Sequence, residues 1–168
     1  MTGPIGEQTL LDFGHEFHVV CPRCAGRALV LDRGPAAPAE HRIALTCAAC
    51  GLAQYWQQTS PGVLTAADPQ AYPPGVVAMG AAVDWYFHQP LWLQTPCCGE
   101  TLWAYNAAHL DFLEAFIGAK QRGKRPGPQG WRNQALANRL PRWMTSASNR
   151  AEVLRGLVAL RARLPEPG

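Results

Sequence analysis

The sequence predicts an α+β fold in which small β-hairpins come before a group of C-terminal helices. Three patterns support this class. Two Cys-x-x-Cys pairs are flanked by short β-like runs, two aromatic-rich runs surround a Pro/Gly turn, and apolar residues recur at helical spacing after residue 106. We divide the chain into a cysteine-bearing segment (15–58), a segment with a loop, an aromatic hairpin and a helix (59–119), and a basic helical tail (120–168).

The first segment is predicted to consist of short strands around the cysteine pairs. Residues 1–14 before it form a loosely held lead-in. β-like runs cover 28–31, 42–46 and 52–56, and residues 33–38 make a turn-rich tip between the first two runs. The runs predict a hairpin that joins the two cysteine pairs.

Cys21, Cys24, Cys47 and Cys50 have the pattern of a structural zinc site. Each turn places two thiolates about one tetrahedral edge apart, and a glycine after the second cysteine allows the left-handed conformation that points backbone N–H groups at sulfur. The 22 residues between the pairs slightly exceed the usual roughly 15–20, and the turn-rich tip absorbs the excess. Four thiolates leave no open position on the ion, so we expect one structural Zn²⁺.

Two alternatives for these cysteines are unrelated pairs of buried thiols and a redox pair. A redox Cys-x-x-Cys normally lies at a helix N-terminus, and neither pair is followed by a helical pattern. His15 and His18 lie just before Cys21. Since two complete cysteine pairs already satisfy the ion, we interpret both histidines as loop or surface residues.

The second segment begins with a Pro/Gly/Ala-rich stretch over 59–84, predicted to be a long loop or to conceal a short helix. The aromatic runs that follow, around the turn at 96–100, predict a β-hairpin. Asn106 is the expected N-cap of a helix over 107–119.

The basic tail is predicted to hold a linker over 121–131, a short helix over 131–140 and a last helix from about Ser148 to Arg163. The apolar face of the last helix is predicted to consist of Val153, Leu154, Leu157, Val158, Leu160 and Leu164.

Two parts of the sequence resemble known families. The cysteine pairs resemble the zinc ribbons of transcription-factor-B type. The block Leu-Trp-Leu-Gln-Thr-Pro-Cys-Cys-Gly-Glu-Thr-Leu-Trp-Ala-Tyr-Asn, residues 91–106, is similar to the signature of a group of uncharacterised bacterial zinc-ribbon proteins. The resemblance covers most of residues 15–164. It implies a zinc-ribbon fold with a following helix and a basic helical tail, and it brings no activity with it.

Cys97 and Cys98 have two interpretations. They form a tight turn with two small buried side chains, or they provide a reactive thiol or part of a second metal site completed by His88 or His109. Adjacent residues of a strand point to opposite faces, and no complete set of metal ligands is visible nearby, which favours the first interpretation. The neighbouring aromatic residues are likewise expected to form the core rather than a base-stacking surface.

Charge is uneven along the chain. Residues 1–119 hold four basic against ten acidic residues, a net of −6, and residues 120–168 hold eleven against two, a net of +9. Such a basic tail attracts nucleic acid, an acidic partner or the acidic part of the same molecule. The candidate phosphate contacts are Arg122, Lys124, Arg125, Arg132, Arg139 and Arg142.

These patterns favour a binding protein over an enzyme. The first hypothesis is nucleic-acid binding through the basic tail, and the alternative is a protein-interaction or regulatory factor that uses the hairpin and the amphipathic C-terminal helix. No catalytic constellation stands out, because the acidic residues from 84 to 114 are scattered over exposed or capping positions. Without a secretory signal or a long apolar run, we expect a cytoplasmic protein with no membrane segment, whose thiols stay reduced.

Overall fold

The structure is a computed structural model that describes residues 7–65, 72–119 and 140–166. Within these ranges the chain forms eight strands and three α-helices, which confirms the predicted α+β class. The strands are β1 (Glu16–Val20), β2 (Arg27–Asp32), β3 (Ile43–Thr46), β4 (Ala53–Tyr55), β5 (Val63–Thr65), β6 (Val77–Met79), β7 (Gln94–Cys97) and β8 (Glu100–Trp103). The helices are α1 (Ala107–Gly118), α2 (Arg142–Thr145) and α3 (Arg150–Arg161), and short 3-10 helices cover Leu10–Phe13 and Ala39–His41.

The cysteine-bearing segment is a four-stranded antiparallel sheet with the order β1-β2-β3-β4. The three β-like runs predicted from sequence correspond to β2, β3 and β4. Phe17, Val30 and Leu45 lie directly opposite one another on adjacent strands, and none is exposed to solvent. Because side chains alternate along a strand, this row of apolar residues defines the face of the sheet that packs on the core.

β1 was not predicted, and it corrects the interpretation of His18. Its outer edge is covered, since Val20 N–H donates to the Pro90 carbonyl and Trp92 N–H donates to the His18 carbonyl. His18 is only 5% exposed, and its ring contacts Glu16 and an Arg27 guanidinium nitrogen. Three consecutive residues of β1 are buried, so both faces of this strand are covered, whereas His15 is exposed as expected.

The described part of the lead-in is also held more firmly than predicted. Thr9 and Asp12 form a capping box at the start of the first 3-10 helix. This turn places Phe13 in the core, 2% exposed and stacked on His109 at 4.9 Å between ring centroids. The lead-in therefore packs against α1.

The stretch predicted as a long loop contains a parallel pair, β5 and β6, in which Val63 lies opposite Val77. The described residues of this stretch contain no helix, and residues 66–71 lie outside the described ranges. Asp84 at its end is completely buried, so of the exposed or capping positions expected for it, it takes the capping one. Its carboxylate accepts the backbone N–H groups of Tyr86, Phe87 and Gln89 at 2.7–2.9 Å and so caps the turn that follows.

The predicted aromatic hairpin is present as β7 and β8. Cys97 pairs with Glu100, so the loop has two residues, Cys98 and Gly99, with φ of 53° and 76°. Positive φ at both central residues is the mark of a type I′ turn, which matches the twist of the paired strands.

Trp85 and Tyr105 beside the hairpin belong to the core, and Trp92 and Trp103 are half-buried and pack against it, in line with the packing interpretation. The ring of Phe17 from β1 meets those of Tyr105 and Trp85 edge to face at 4.9 and 5.2 Å. Trp85 Nε1 donates to the Tyr105 hydroxyl oxygen at 2.9 Å, which satisfies the buried indole N–H.

α1 and α3 confirm two predicted helices. The Asn106 side chain accepts the His109 N–H at 3.0 Å, which is the expected N-cap. α3 packs against α1 and the hairpin through Val153, Leu157 and Leu160, each fully buried. Val158, predicted on this apolar face, is instead 65% exposed because it lies on the opposite side of the helix. The predicted helix over 131–140 falls almost entirely outside the described residues.

No helix in the described parts of the chain has both the length and the apolar character that a membrane crossing needs.

Because His109 is buried, the stability of the fold should depend on pH. Burial lowers its pKa to about 3 from 6.5, and its Nδ1 accepts the Tyr105 N–H, which requires a neutral ring. The unfolded chain takes up a proton below pH 6.5 and the folded chain does not, so the free energy of unfolding falls as pH drops from about 6.5 toward 3. At pH 5 the His109 ring alone should lower the free energy of unfolding by about 2 kcal/mol relative to neutral pH.

Urea unfolding of the native protein and of His109→Gln at pH 7.5 and pH 5 measures the effect. We expect a smaller loss at pH 5 in the variant, and a residual loss common to both proteins, because burial also lowers the pKa of His18. Equal losses of unfolding free energy in the two proteins would show that His109 is not responsible for the pH dependence.

Candidate metal centre

The four-stranded sheet brings the two cysteine pairs together at one of its ends. Cys21 and Cys24 lie in the turn between β1 and β2, and Cys47 and Cys50 lie in the turn between β3 and β4. The sulfurs of Cys21 and Cys50 are 3.7 Å apart, and those of Cys24 and Cys47 are 3.6 Å apart. All four sulfurs lie within 4.8 Å of one another and could hold a metal ion.

The two turns have the same backbone hydrogen bonds. Cys21 N–H donates to the Gly26 carbonyl and Cys47 N–H to the Leu52 carbonyl, each five residues further on. The N–H four residues after each of these cysteines donates back to the cysteine carbonyl at 2.9 Å. In the first turn the Arg23 N–H also points at the Cys21 sulfur, 3.4 Å away. Backbone N–H groups directed at sulfur stabilise thiolates, which are the form that binds metal.

The left-handed residue of the first turn differs from the expectation. Ala25 has φ of 60°, whereas the second turn uses Gly51 at 73°. The residue directly after the second cysteine takes this conformation in both turns, and in the first it is not a glycine. A left-handed alanine costs roughly 1 kcal/mol, so the first turn is strained where the second is not.

This difference predicts opposite effects for two reciprocal substitutions. Ala25→Gly should raise the free energy of unfolding, by up to about 1 kcal/mol, and Gly51→Ala should lower it by roughly 1 kcal/mol. A Cβ on Gly51 would meet no atom within 4 Å, so only backbone strain contributes there. Chemical denaturation measures the free energy of unfolding of both variants. A lower value for Ala25→Gly than for the native chain would contradict the inference that Ala25 is strained.

The thiols of the cluster differ in acidity. Burial opposes ionisation of Cys21, but the N–H groups of Cys24 and Arg23 outweigh it and lower the pKa of Cys21 to about 6. For Cys24 the Gly26 N–H favours the thiolate, but the other sulfurs and burial outweigh it and raise the pKa of Cys24 to about 11. Four sulfurs this close ionise together only when a cation offsets their charge.

A closed set of four sulfurs limits the chemistry of the centre. Cys21 and Cys47 are buried, Cys50 is half-buried and Cys24 is exposed. Four thiolates would complete a tetrahedral shell and leave no position for water or substrate, so an ion here stabilises the fold.

The candidate phosphate contacts are mostly outside the described residues. Arg142 alone among them lies within these ranges, exposed in the first turn of α2. Further along the tail, Arg161 forms ion pairs with Asp111 and Glu114 of α1, at 2.6 and 3.0 Å. Part of the tail's positive charge is therefore offset within the molecule, as one of the sequence-based alternatives proposed.

Cys97 and Cys98 come together with Glu152 from α3, a residue that the sequence analysis did not connect to them. The two sulfurs are 3.6 Å apart, because the positive φ of Cys98 takes it out of the strand alternation expected for adjacent residues. Neither His88 nor His109 is in this group. His88 Nε2 contacts the Val76 carbonyl, and His109 lies in the aromatic core. No local sequence signal could have linked Glu152 to a turn 54 residues earlier.

Comparisons with protein-family models, with curated proteins and with solved structures found no match for this chain.

Proposed function

We propose that this chain is a zinc-ribbon protein of transcription-factor-B type, in which Cys21, Cys24, Cys47 and Cys50 hold one structural Zn²⁺. The separation of the sulfurs carries this proposal. Zn–S bonds of about 2.3 Å place the sulfurs of a tetrahedral site about 3.8 Å apart, and the closest pairs here lie at 3.6 and 3.7 Å. Thiolate ligands in a tetrahedral arrangement favour zinc over harder cations.

Metal analysis of the purified chain tests the zinc assignment. Cys24→Ser is expected to remove one equivalent of zinc per chain, as measured by inductively coupled plasma mass spectrometry. Cys24 is exposed, so the substitution changes the ligand with little effect on packing. A zinc content that does not change would overturn the assignment.

The zinc-stabilised domain would act as a non-catalytic binding protein that contacts nucleic acid through its basic C-terminal region. Support comes from the net charge of +9 over residues 120–168 and from the exposure of Arg142 and Arg155. Contacts to phosphates release counterions, so affinity should fall steeply with salt, by roughly a thousandfold between low and moderate salt for six contacts.

Filter binding of the full chain to random-sequence DNA and RNA at increasing salt tests this role. Arg142→Gln should reduce the slope of log affinity against log salt by about one. Arg23→Gln is the matched control, since Arg23 is an exposed arginine on the first cysteine turn, outside the basic tail. Absence of retention at low salt would overturn the nucleic-acid role and leave the zinc assignment intact.

The protein-interaction alternative would need a surface other than the apolar side of α3. Val153, Leu157 and Leu160 are buried against the rest of the domain and are not available to a partner. An affinity pull-down that recovers one stoichiometric protein regardless of nuclease treatment would favour this alternative. Recovery that disappears with nuclease would favour nucleic acid.

A further inference from the structure

We propose that Cys97, Cys98 and Glu152 form a second metal site, separate from the four-cysteine centre, that takes a thiophilic divalent cation such as Zn²⁺ and leaves one coordination position open. The three side chains offer two sulfurs and a carboxylate oxygen, all within 4.8 Å of one another. The site joins the tip of the β7–β8 hairpin to the first turn of α3.

The spacing of the two sulfurs supports a shared ion. Cys97 and Cys98 Sγ are 3.6 Å apart, the same separation as Cys24 and Cys47 in the four-cysteine centre. It is close to the edge of about 3.8 Å expected for two thiolates on one tetrahedral zinc. Adjacent cysteines in a regular strand would point to opposite faces, so the turn itself creates this pairing.

The backbone of the turn is strained at Cys98, and this conformation brings the two sulfurs together. Type I′ turns favour asparagine, aspartate or glycine at their first central position. Here Cys98 occupies it with φ of 53°, a left-handed conformation that is unfavourable for a residue with a Cβ. Strain of this kind at a non-glycine residue is typical of functional positions.

The carboxylate is positioned by a backbone bond and by close helix packing. Glu152 Oε1 accepts the Cys98 N–H at 3.0 Å, which holds the side chain over the turn. α3 approaches the hairpin closely at Gly156, where a Cβ would lie 2.7 Å from Leu102 Cδ2 and 3.7 Å from Cys97 Sγ. Glycine inside a helix is unfavourable relative to alanine, and here it allows the close approach.

The ligand types indicate which ion would bind. Two sulfurs favour Zn²⁺ or Cu⁺ over Mg²⁺ or Ca²⁺, and the carboxylate favours the divalent ion. Binding would release the two thiol protons to solvent and leave two thiolates and one carboxylate on the cation. Cys97 is buried, while Cys98 is half-buried and Glu152 exposed, so an ion can enter from solvent. Three protein ligands leave a fourth position for water or an external donor, unlike the closed centre.

Metal titration of the reduced full chain tests the second site. We expect the native protein to retain two equivalents of zinc after dialysis and Cys98→Ser to retain one. Glu152→Gln should weaken the second equivalent by at least about tenfold, the lower bound for loss of a group that supports a metal ligand. Cadmium-113 NMR of the cadmium form should show two signals, of which Cys98→Ser loses one and Cys24→Ser loses the other.

Glu100→Gln is the matched control, because Glu100 is an exposed glutamate on the same hairpin, directly opposite Cys97. It should retain both equivalents. The proposal is overturned if the native chain retains a single equivalent, if Cys98→Ser keeps both, or if Glu100→Gln and Glu152→Gln have equal effects. Since Cys24→Ser reports on the four-cysteine centre alone, failure of one site is distinguishable from failure of the other.

Discussion

Cys47→Ser is expected to lower the free energy of unfolding by on the order of 5 kcal/mol, the largest effect that we expect from a single substitution in this chain. Structural zinc contributes roughly 10–16 kcal/mol to the folding of small zinc domains, and loss of one thiolate removes a large share of it. Cys47 is 2% exposed, so serine would also place a hydroxyl in a buried position shaped for sulfur. Urea unfolding in zinc-containing buffer, followed by circular dichroism, measures the loss.

Cys98→Ser is the control for this result. It makes the same chemical change at a half-buried cysteine of the proposed second metal site, so it removes a ligand there and leaves the four-cysteine centre intact. We expect it to cost much less, because the sheet β1–β4 keeps all four of its sulfurs. If Cys47→Ser lowers the free energy of unfolding no more than Cys98→Ser does, the four-cysteine centre is not the main source of stability for this sheet.

Asn106→Ala is expected to cost about 3 kcal/mol, because one side chain satisfies three buried backbone groups. Its Oδ1 accepts the His109 N–H, and its Nδ2 donates to the carbonyls of Phe13 and Glu16, both at 2.8 Å. Loss of an N-cap costs about 1 kcal/mol, and each buried carbonyl left without a donor adds about 1 kcal/mol. Thermal or urea unfolding at pH 7.5 measures the difference from the native chain.

Asn149→Ala tests whether this cost is specific. Asn149 occupies the equivalent position before α3, but it makes no side-chain capping bond and donates only to the Trp143 carbonyl. We expect a loss of about 1 kcal/mol for this variant. Equal losses at the two positions would mean that the bonds from Asn106 to the lead-in add nothing to stability.

The sequence predicted the features that depend on local spacing. The cysteine pairs, the Asn106 cap and the apolar periodicity of α1 and α3 are patterns over a few residues, and each has a counterpart in the structure. β1 was missed because its two faces are both buried, which removes the polar–apolar alternation that identifies a half-exposed strand. The buried state of Asp84 was missed because it depends on backbone N–H groups that only the folded turn presents to it.

The group formed by Cys97, Cys98 and Glu152 could be predicted only in part. The pair Cys97–Cys98 was visible in the sequence, but the strand alternation assumed for it does not apply inside a type I′ turn. Its third member, Glu152, depends on the docking of α3 through Gly156, which is a tertiary contact. The metal-site alternative for this pair named His88 or His109, but His109 lies in the core and His88 contacts a backbone carbonyl.

The pairing of β1 has a consequence for the order of folding. Its inner edge pairs with β2, which follows after a short turn, but its outer edge pairs with the backbone of Pro90 and Leu91 and with Tyr105. During synthesis, the sheet β1–β4 can therefore close around its cysteines while the outer edge of β1 still lacks these partners. Loop closure over such a distance is slow relative to local pairing. We expect an early intermediate in which this open edge is a template for pairing with another chain. Chains that end before these partners should therefore aggregate more during refolding than chains that extend through residue 105.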